Sequence, residues 1–236
     1  MKIALLADIH ANLEALLAVI SDAKERQVSE FICAGDLVDY GPDPNEVITE
    51  AIANNFVTVM GNHDQGVGFD LTFPEFRVAK GRNLRGELAA LSWTQRHTTK
   101  VNKKFLASLP RSLFVARGGF RILVAHALPG SLNTYVGPEA PDRLKELHER
   151  NNADIYVLGH LHIPYQDKSA GALIINPGSV GKPKHNDRRA SYAILELAET
   201  AAVEFCRVNY DMERVAKKIK DRELPESVAA ALLAGK

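Results

Sequence analysis

The stretch IYVLGHLH, residues 155–162, decides the reading of this chain. Residues 155–158 form a short, unbroken apolar run, which predicts a buried strand. Gly159 ends the run, and His160 and His162 follow with one residue between them. Both imidazoles therefore fall on the loop at the C-terminal end of a strand, and extended alternation aims them to the same side. A histidine pair of this kind is a weak signal when it stands alone. Its weight comes from the segments upstream.

Four earlier apolar segments end in the same way. Asp8 and His10 end the run at 2–7, and Asp36 follows Gly35 after the run at 31–34. Asn62, His63 and Asp64 follow Gly61 after the run at 57–60, and His126 ends the run at 122–125. Asp and Asn are ordinary turn formers one at a time, but chance does not readily repeat them at five strand ends. These oxygen and nitrogen donors suit manganese, iron, zinc, cobalt or nickel. The set contains no thiolate, which argues against a structural zinc knuckle. It divides into Asp8, His10, Asp36 and His162 for one ion, and Asp36, Asn62, His126 and His160 for a second. Asp36 bridges them. Two ions roughly 3.5–4 Å apart can bind a bridging hydroxide and clamp a phosphoryl group for in-line attack. His63, when protonated, can donate to the leaving-group oxygen, with Asp64 as the carboxylate that fixes its tautomer.

The composition sets wide limits. The chain has 236 residues, 46% hydrophobic and 25% charged, enough for one well-buried domain spanning 1–236 with an insert. Net charge is zero, so no long nucleic acid is expected as a partner. Cys33 and Cys206 are the only cysteines and form no CxxC pair, which fits a reducing, cytoplasmic setting. Met1 runs directly into a core strand, leaving no room for a signal peptide. No apolar stretch is long enough to span a bilayer. Cys33, on an apolar strand, reads as a core thiol. Trp93 reads as core, and His97, His148 and His185 as surface residues.

Periodicity supplies the architecture. Leu13, Leu16, Leu17 and Ile20 mark a helix over 12–26 with Asn12 as its N-cap. A second helix covers 44–54, with Pro44 in its first turn. With the strands at 2–7, 31–34 and 57–60 this makes a βαβαβ unit, hence a parallel sheet. Residues 65–111 break the rhythm and read as a helical insert lying over the strand ends. Gly118-Gly119 predicts a hairpin between strands at 113–116 and 120–125. A helix at 139–150, strands at 172–175, 192–197 and 203–208, and helices at 211–221 and 225–233 complete an α/β chain of two sheets packed face to face.

Taken together, DIH at 8–10, GD at 35–36, GNHD at 61–64, His126 and GHLH at 159–162 resemble the calcineurin-like metallophosphoesterase superfamily. NPGSVG at 176–181 is similar to a further segment of its small bacterial and archaeal members. The resemblance implies a four-layer α/β/β/α sandwich of two mixed sheets, with the metal site at the C-terminal ends of strands. It also implies the ligand roles given above and two divalent transition-metal ions, manganese first among them. Protein phosphatases of that superfamily carry GDxxDRG, where this chain has GDLVDYG with Tyr40 in the arginine's place. Purple acid phosphatases carry a tyrosinate at the position held here by Asp39.

The implied activity is hydrolysis of a small phosphorylated substrate: a phosphomonoester, a phosphodiester or a nucleotide polyphosphate, with a dinucleoside polyphosphate as one version. The alternative is a metal-binding scaffold without turnover, as in the retromer subunit of that superfamily. Asn12, Tyr40, Arg82 and Arg85 are the candidate substrate contacts. Between residues 65 and 110 eight Lys or Arg face three acids, an excess of five (8 − 3). Lys182, Lys184, Arg188 and Arg189 form a second basic cluster after NPGSVG. If both border the cleft they focus positive potential on an anionic substrate. A homodimer is left open.

Overall fold

The computed structural model describes residues 1–72, 84–168, 170–184 and 187–234. Strand β1 (Lys2–Leu6) pairs in parallel with β2 (Glu30–Cys33), and β2 with β3 (Val57–Thr58). Helices α1 (Leu13–Glu25) and α2 (Pro44–Ala53) make the crossovers. Two late strands, β9 (Ala190–Leu197) and β10 (Ala201–Val208), extend this sheet antiparallel from β1, giving the order β10-β9-β1-β2-β3. The second sheet runs β4-β5-β6-β8-β7. Its members are β4 (Ser112–Arg117), β5 (Phe120–Ala125), β6 (Ile155–Leu158), β7 (Pro164–Asp167) and β8 (Leu173–Pro177). β5, β6 and β8 are parallel, while β4 and β7 close the edges antiparallel.

Both sheets are therefore mixed. In the second, α6 (Pro141–Asn151) carries the chain from β5 across to a parallel β6. The hairpin falls where expected: Gly118 and Gly119 have φ of 56° and 84°, which suits a two-residue turn with both central residues left-handed.

Three apolar layers hold the sandwich. Ala4, Leu6 and Phe31 pack outward against Leu16, Val19 and Ile48 of α1 and α2. Ile3, Leu5 and Ile32 meet Ile122, Val124, Val157 and Ile175 between the sheets. Leu123, Tyr156, Leu158 and Ile174 pack on Leu144 and Leu147 of α6. The strands alternate faces, so each buries residues into two of these layers, which explains the near-continuous apolar runs.

The insert is helical as expected in its described parts: α3 (Asn62–Gly68), α4 (Leu84–His97) and α5 (Lys100–Ser108). It reaches the site: Glu87 lines the cleft and Thr94 donates to Asp39. The α4 residue Trp93 is core: it packs with Val215, Ile219 and Leu224 and donates Nε1–H to the Arg222 carbonyl at 2.8 Å. That contact joins the insert to α7 (Met212–Asp221), which continues into α8 (Glu226–Ala234).

Candidate metal centre

The ligand-type side chains of both sheets converge. Asp8, His10 and His162 form one buried group and Asp36, His126 and His160 another. In the first, the Nε2 atoms of His10 and His162 lie 3.3 Å apart, with Asp8 Oδ1 3.3 Å from His162 Nε2. In the second, His126 Nε2 lies 3.1 Å from His160 Nδ1 and 3.0 Å from Asn62 Oδ1. Asp36 Oδ2 is 3.2 Å from His126 Nε2 and 3.9 Å from His10 Nε2, so one oxygen faces both groups. The seven residues expected as ligands thus converge, with Asp36 nearer the second group than the first.

Backbone conformation makes this convergence. Asp8, His10, Asp36, His160 and His162 all have left-handed φ between 50° and 69°. For residues with a Cβ this conformation is costly, of order 1–3 kcal/mol each, and it is found where function demands it. His160 and His162 accordingly serve neighbouring groups through a left-handed turn, and not through the strand alternation first expected. Two glycines give the loops room. A Cβ on Gly61 would stand 2.0 Å from Asp36 Oδ1, and one on Gly35 would stand 2.7 Å from the Gly61 nitrogen.

The outer hydrogen bonds fix which nitrogen faces inward. The Nδ1 atoms of His10, His126 and His162 pair with the carbonyls of Val38, Ala34 and Lys182 at 3.2, 2.8 and 2.7 Å. In its neutral form each ring therefore carries its proton outward and turns the Nε2 lone pair to the centre. Asp8 Oδ1 and His160 Nε2 are buried and find no hydrogen-bond partner among the described residues. Lone pairs facing lone pairs, beside an orphaned carboxylate oxygen, form an arrangement that a cation completes. The residues present fit two divalent ions.

The electrostatics agree. Burial, reinforced by Asp36, pushes Asp8 up to about 7. Burial pushes His160 down to about 3 and holds His10 and His162 well below the usual imidazole range. Burial also disfavours a charged His126, but Asp36 and then Asp8 outweigh it and raise His126 to about 9. Asp36 is held well below the carboxylate range, as His126 and His63 overcome its burial. In the metal-free chain, protons on Asp8 and His126 thus supply part of the positive charge that the acids demand.

The NPGSVG segment is a strap over this centre. Asn176 Nδ2 donates to the Gly159 carbonyl at 2.7 Å, and Ser179 Oγ to the Asp8 carbonyl at 2.7 Å. The Gly181 nitrogen donates to the same Asp8 carbonyl at 3.0 Å. The strap ties the loop after β1 to the loop after β6.

Several expected roles change. Asp64 does not orient His63. Its two oxygens accept the backbone N–H groups of Asp36, Leu37, Val38 and Gly61 at 2.8 to 3.3 Å, so it organises the loop that presents Asp36. The carboxylate on His63 Nδ1 is Asp39, at 2.7 Å. Asp39 is fully buried and is steadied by Thr94 of α4 at 3.2 Å. Burial disfavours a charged His63, but Asp36 and the Asp39 hydrogen bond prevail and raise its pKa. Sequence reasoning passed over Asp39, whose one signal is a carboxylate within the otherwise apolar run LVDY.

Asn12 is not a substrate contact. Its Oδ1 caps α1 at the Ala15 nitrogen, 3.1 Å, and its Nδ2 donates to the Gly181 carbonyl at 3.0 Å. Tyr40 does line the cleft above the metal groups, which measures about 570 Å³. Arg85 is exposed and absent from that lining, Arg96 bonds Ser92 on its own helix, and Arg82 lies outside the described residues, as does His185. The insert's acid Glu87 lines the cleft; of its described bases only Arg111, at its end, does so. The positive lining comes from Arg111, Lys182 and Lys184. Arg189 is paired with Asp187. The opposite wall, Gly130 to Tyr135, has no motif, and Tyr135 stacks on His160 at 4.1 Å between ring centres.

This chain belongs to the calcineurin-like phosphoesterase superfamily, whose domain matches residues 1–200. An uncharacterized protein of Methanocaldococcus jannaschii is 34% identical over 251 residues, covering 99% of this chain and 98% of that protein. The crystal structure of a metallophosphoesterase from Sphaerobacter thermophilus superposes with a TM-score of 0.83 at 28% identity, over 100% of both chains. A hypothetical protein from Pyrococcus horikoshii superposes with a TM-score of 0.86 over 100% of this chain and 98% of its own. At 23% identity that last likeness is one of fold.

Proposed function

We propose that the chain is a hydrolase acting on a small phosphorylated compound in the cleft. Asp8, His10, Asp36 and His162 would hold one divalent transition-metal ion, and Asp36, Asn62, His126 and His160 another, with manganese the first candidate. Bound there, the ions supply Lewis acidity and an activated water. The observation that carries the reading is the pair of buried groups with inward lone pairs sharing Asp36 Oδ2.

His63 is the proton donor. Asp39 occupies its Nδ1 and leaves Nε2 directed into the site, 4.0 Å from Asp36 Oδ2. Asp36 and the Asp39 hydrogen bond favour the protonated ring, which delivers its proton to the departing oxygen. The lining residues are mainly polar, which suits a hydrophilic substrate such as a nucleotide or sugar phosphate. Two free, buried cysteines accord with the proposed cytoplasmic setting.

The test is hydrolysis of aryl phosphate monoesters and diesters after chelation and reloading. Manganese, cobalt or nickel should restore turnover better than magnesium, given the imidazole content of the site. If no phosphoester is turned over with any divalent metal, the chain is a metal-binding scaffold instead.

A further inference from the structure

Two cations stand beside a centre whose ligands suit cations. Lys182 Nζ lies 3.6 Å from the centre of the Tyr40 ring, within cation–π range. That ring is 4.9 Å from the His63 ring and 5.0 Å from the His10 ring. Lys184 Nζ donates to the carbonyl of Leu161, the residue between His160 and His162, at 3.1 Å. Both side chains line the cleft.

The strap that carries them is fixed. The Lys182 nitrogen donates to Ser179 Oγ at 2.8 Å, and its carbonyl accepts from His162 Nδ1 at 2.7 Å. Lys182 is thus set over Tyr40 beside His63, and Lys184 against the residue between the two histidines of GHLH. An ammonium has no lone pair to offer a metal. Placed here it repels a bound metal. The arrangement becomes favourable when an anion lies between. At about 570 Å³ the cleft is also of a size that encloses a ligand much larger than one phosphoryl group. Glu87, on the insert's side of the cleft, discourages a further negative charge there.

We infer that Lys182, seated on Tyr40, forms an anion subsite that takes a second phosphate of the substrate, on the side from which His63 protonates the leaving group. Tyr40 is the positioning residue and Lys182 the contact. The inference rests on the proposed phosphoester hydrolysis for the position of the first phosphate.

The test compares Lys182→Met, Tyr40→Leu and Tyr40→Phe with the wild-type chain. Binding of inorganic tripolyphosphate and of orthophosphate is measured by calorimetry, with chelator present so that the lysines are read without metal. The same variants, loaded with manganese, are assayed for KM on an aryl phosphate and on a nucleoside diphosphate. Lys182→Met should weaken tripolyphosphate at least about tenfold more than orthophosphate, the scale of one charge-assisted contact, and the difference should shrink with added salt. Tyr40→Leu should reproduce that loss, Tyr40→Phe should retain the discrimination, and Tyr40→Leu with Lys182→Met should be no worse than Lys182→Met alone. Thermal melts confirm that the variants are folded. Equal losses for the two anions, or none, overturn the subsite. Absence of turnover on every phosphoester overturns the hydrolase reading instead, and leaves the calorimetry to decide the subsite.

Discussion

The Nδ1 of His63 lies 2.7 Å from the carboxylate of Asp39, although Asp64 is its immediate neighbour in sequence. A buried imidazole held in this way keeps one tautomer and gains basicity. His63→Gln should slow esters with poor leaving groups by about 10²–10⁴-fold and aryl esters with good ones far less. An equal loss for both classes would indicate a positioning role.

Asp39→Asn should shift the alkaline limb of the pH profile. The donor must be protonated, so the rate on a poor leaving group falls as pH rises through the His63 pKa. Asp39 is one of the groups raising that pKa, so its neutralisation should move the limb to lower pH. An unmoved limb would place the titration on another group.

Metal binding should release protons. Asp8 at about 7 and His126 at about 9 are protonated in the metal-free chain below those values, and both must lose their protons to ligate. Affinity should therefore rise with pH, by roughly one log unit per pH unit between 7 and 9 as His126 deprotonates, and more steeply below 7. Calorimetry in buffers of different ionisation enthalpy counts the protons directly, and a pH-independent affinity would contradict both assignments.

Asp36→Asn should lower occupancy at both groups together, since one of its oxygens faces His10 and His126 alike. Metal analysis that finds two full sites and undiminished turnover would remove the bridge.

Gly61→Ala should be damaging although no side chain is lost. The added methyl would sit 2.0 Å from Asp36 Oδ1 and 2.4 Å from the Asp36 nitrogen. Overpacking of this kind costs about 1–3 kcal/mol, so both the melting temperature and metal content should drop.

The candidate metal ligands were legible because each follows an apolar strand, and strand ends can be read from hydrophobic runs. Asp39 was not, because its partner is reached through a loop that doubles back with φ of 75° at Asp39 and 65° at Tyr40. Local sequence favoured Asp64, yet its oxygens are taken by four backbone N–H groups. Edge strand β7 (PYQD) was missed for want of apolar alternation and because it begins with proline. The insert's net charge misled because charge counting says nothing about direction. Of its described bases only Arg111 lines the cleft, and of the cluster after NPGSVG only Lys182 and Lys184 do.

Each ligand group draws on both sheets. Asp8, His10, Asp36 and Asn62 follow strands of the first, and His126, His160 and His162 follow strands of the second. An ion in either group is therefore a stitch across the seam between the sheets, added to their apolar packing and to the hydrogen bonds of the strap. Its hold on the native state grows with occupancy, by about 2.7 kcal/mol at a free metal concentration one hundred times the dissociation constant. Chelation should then do more than stop chemistry: it should let the two halves of the sandwich breathe, and amide exchange in β1 and β6 should quicken together.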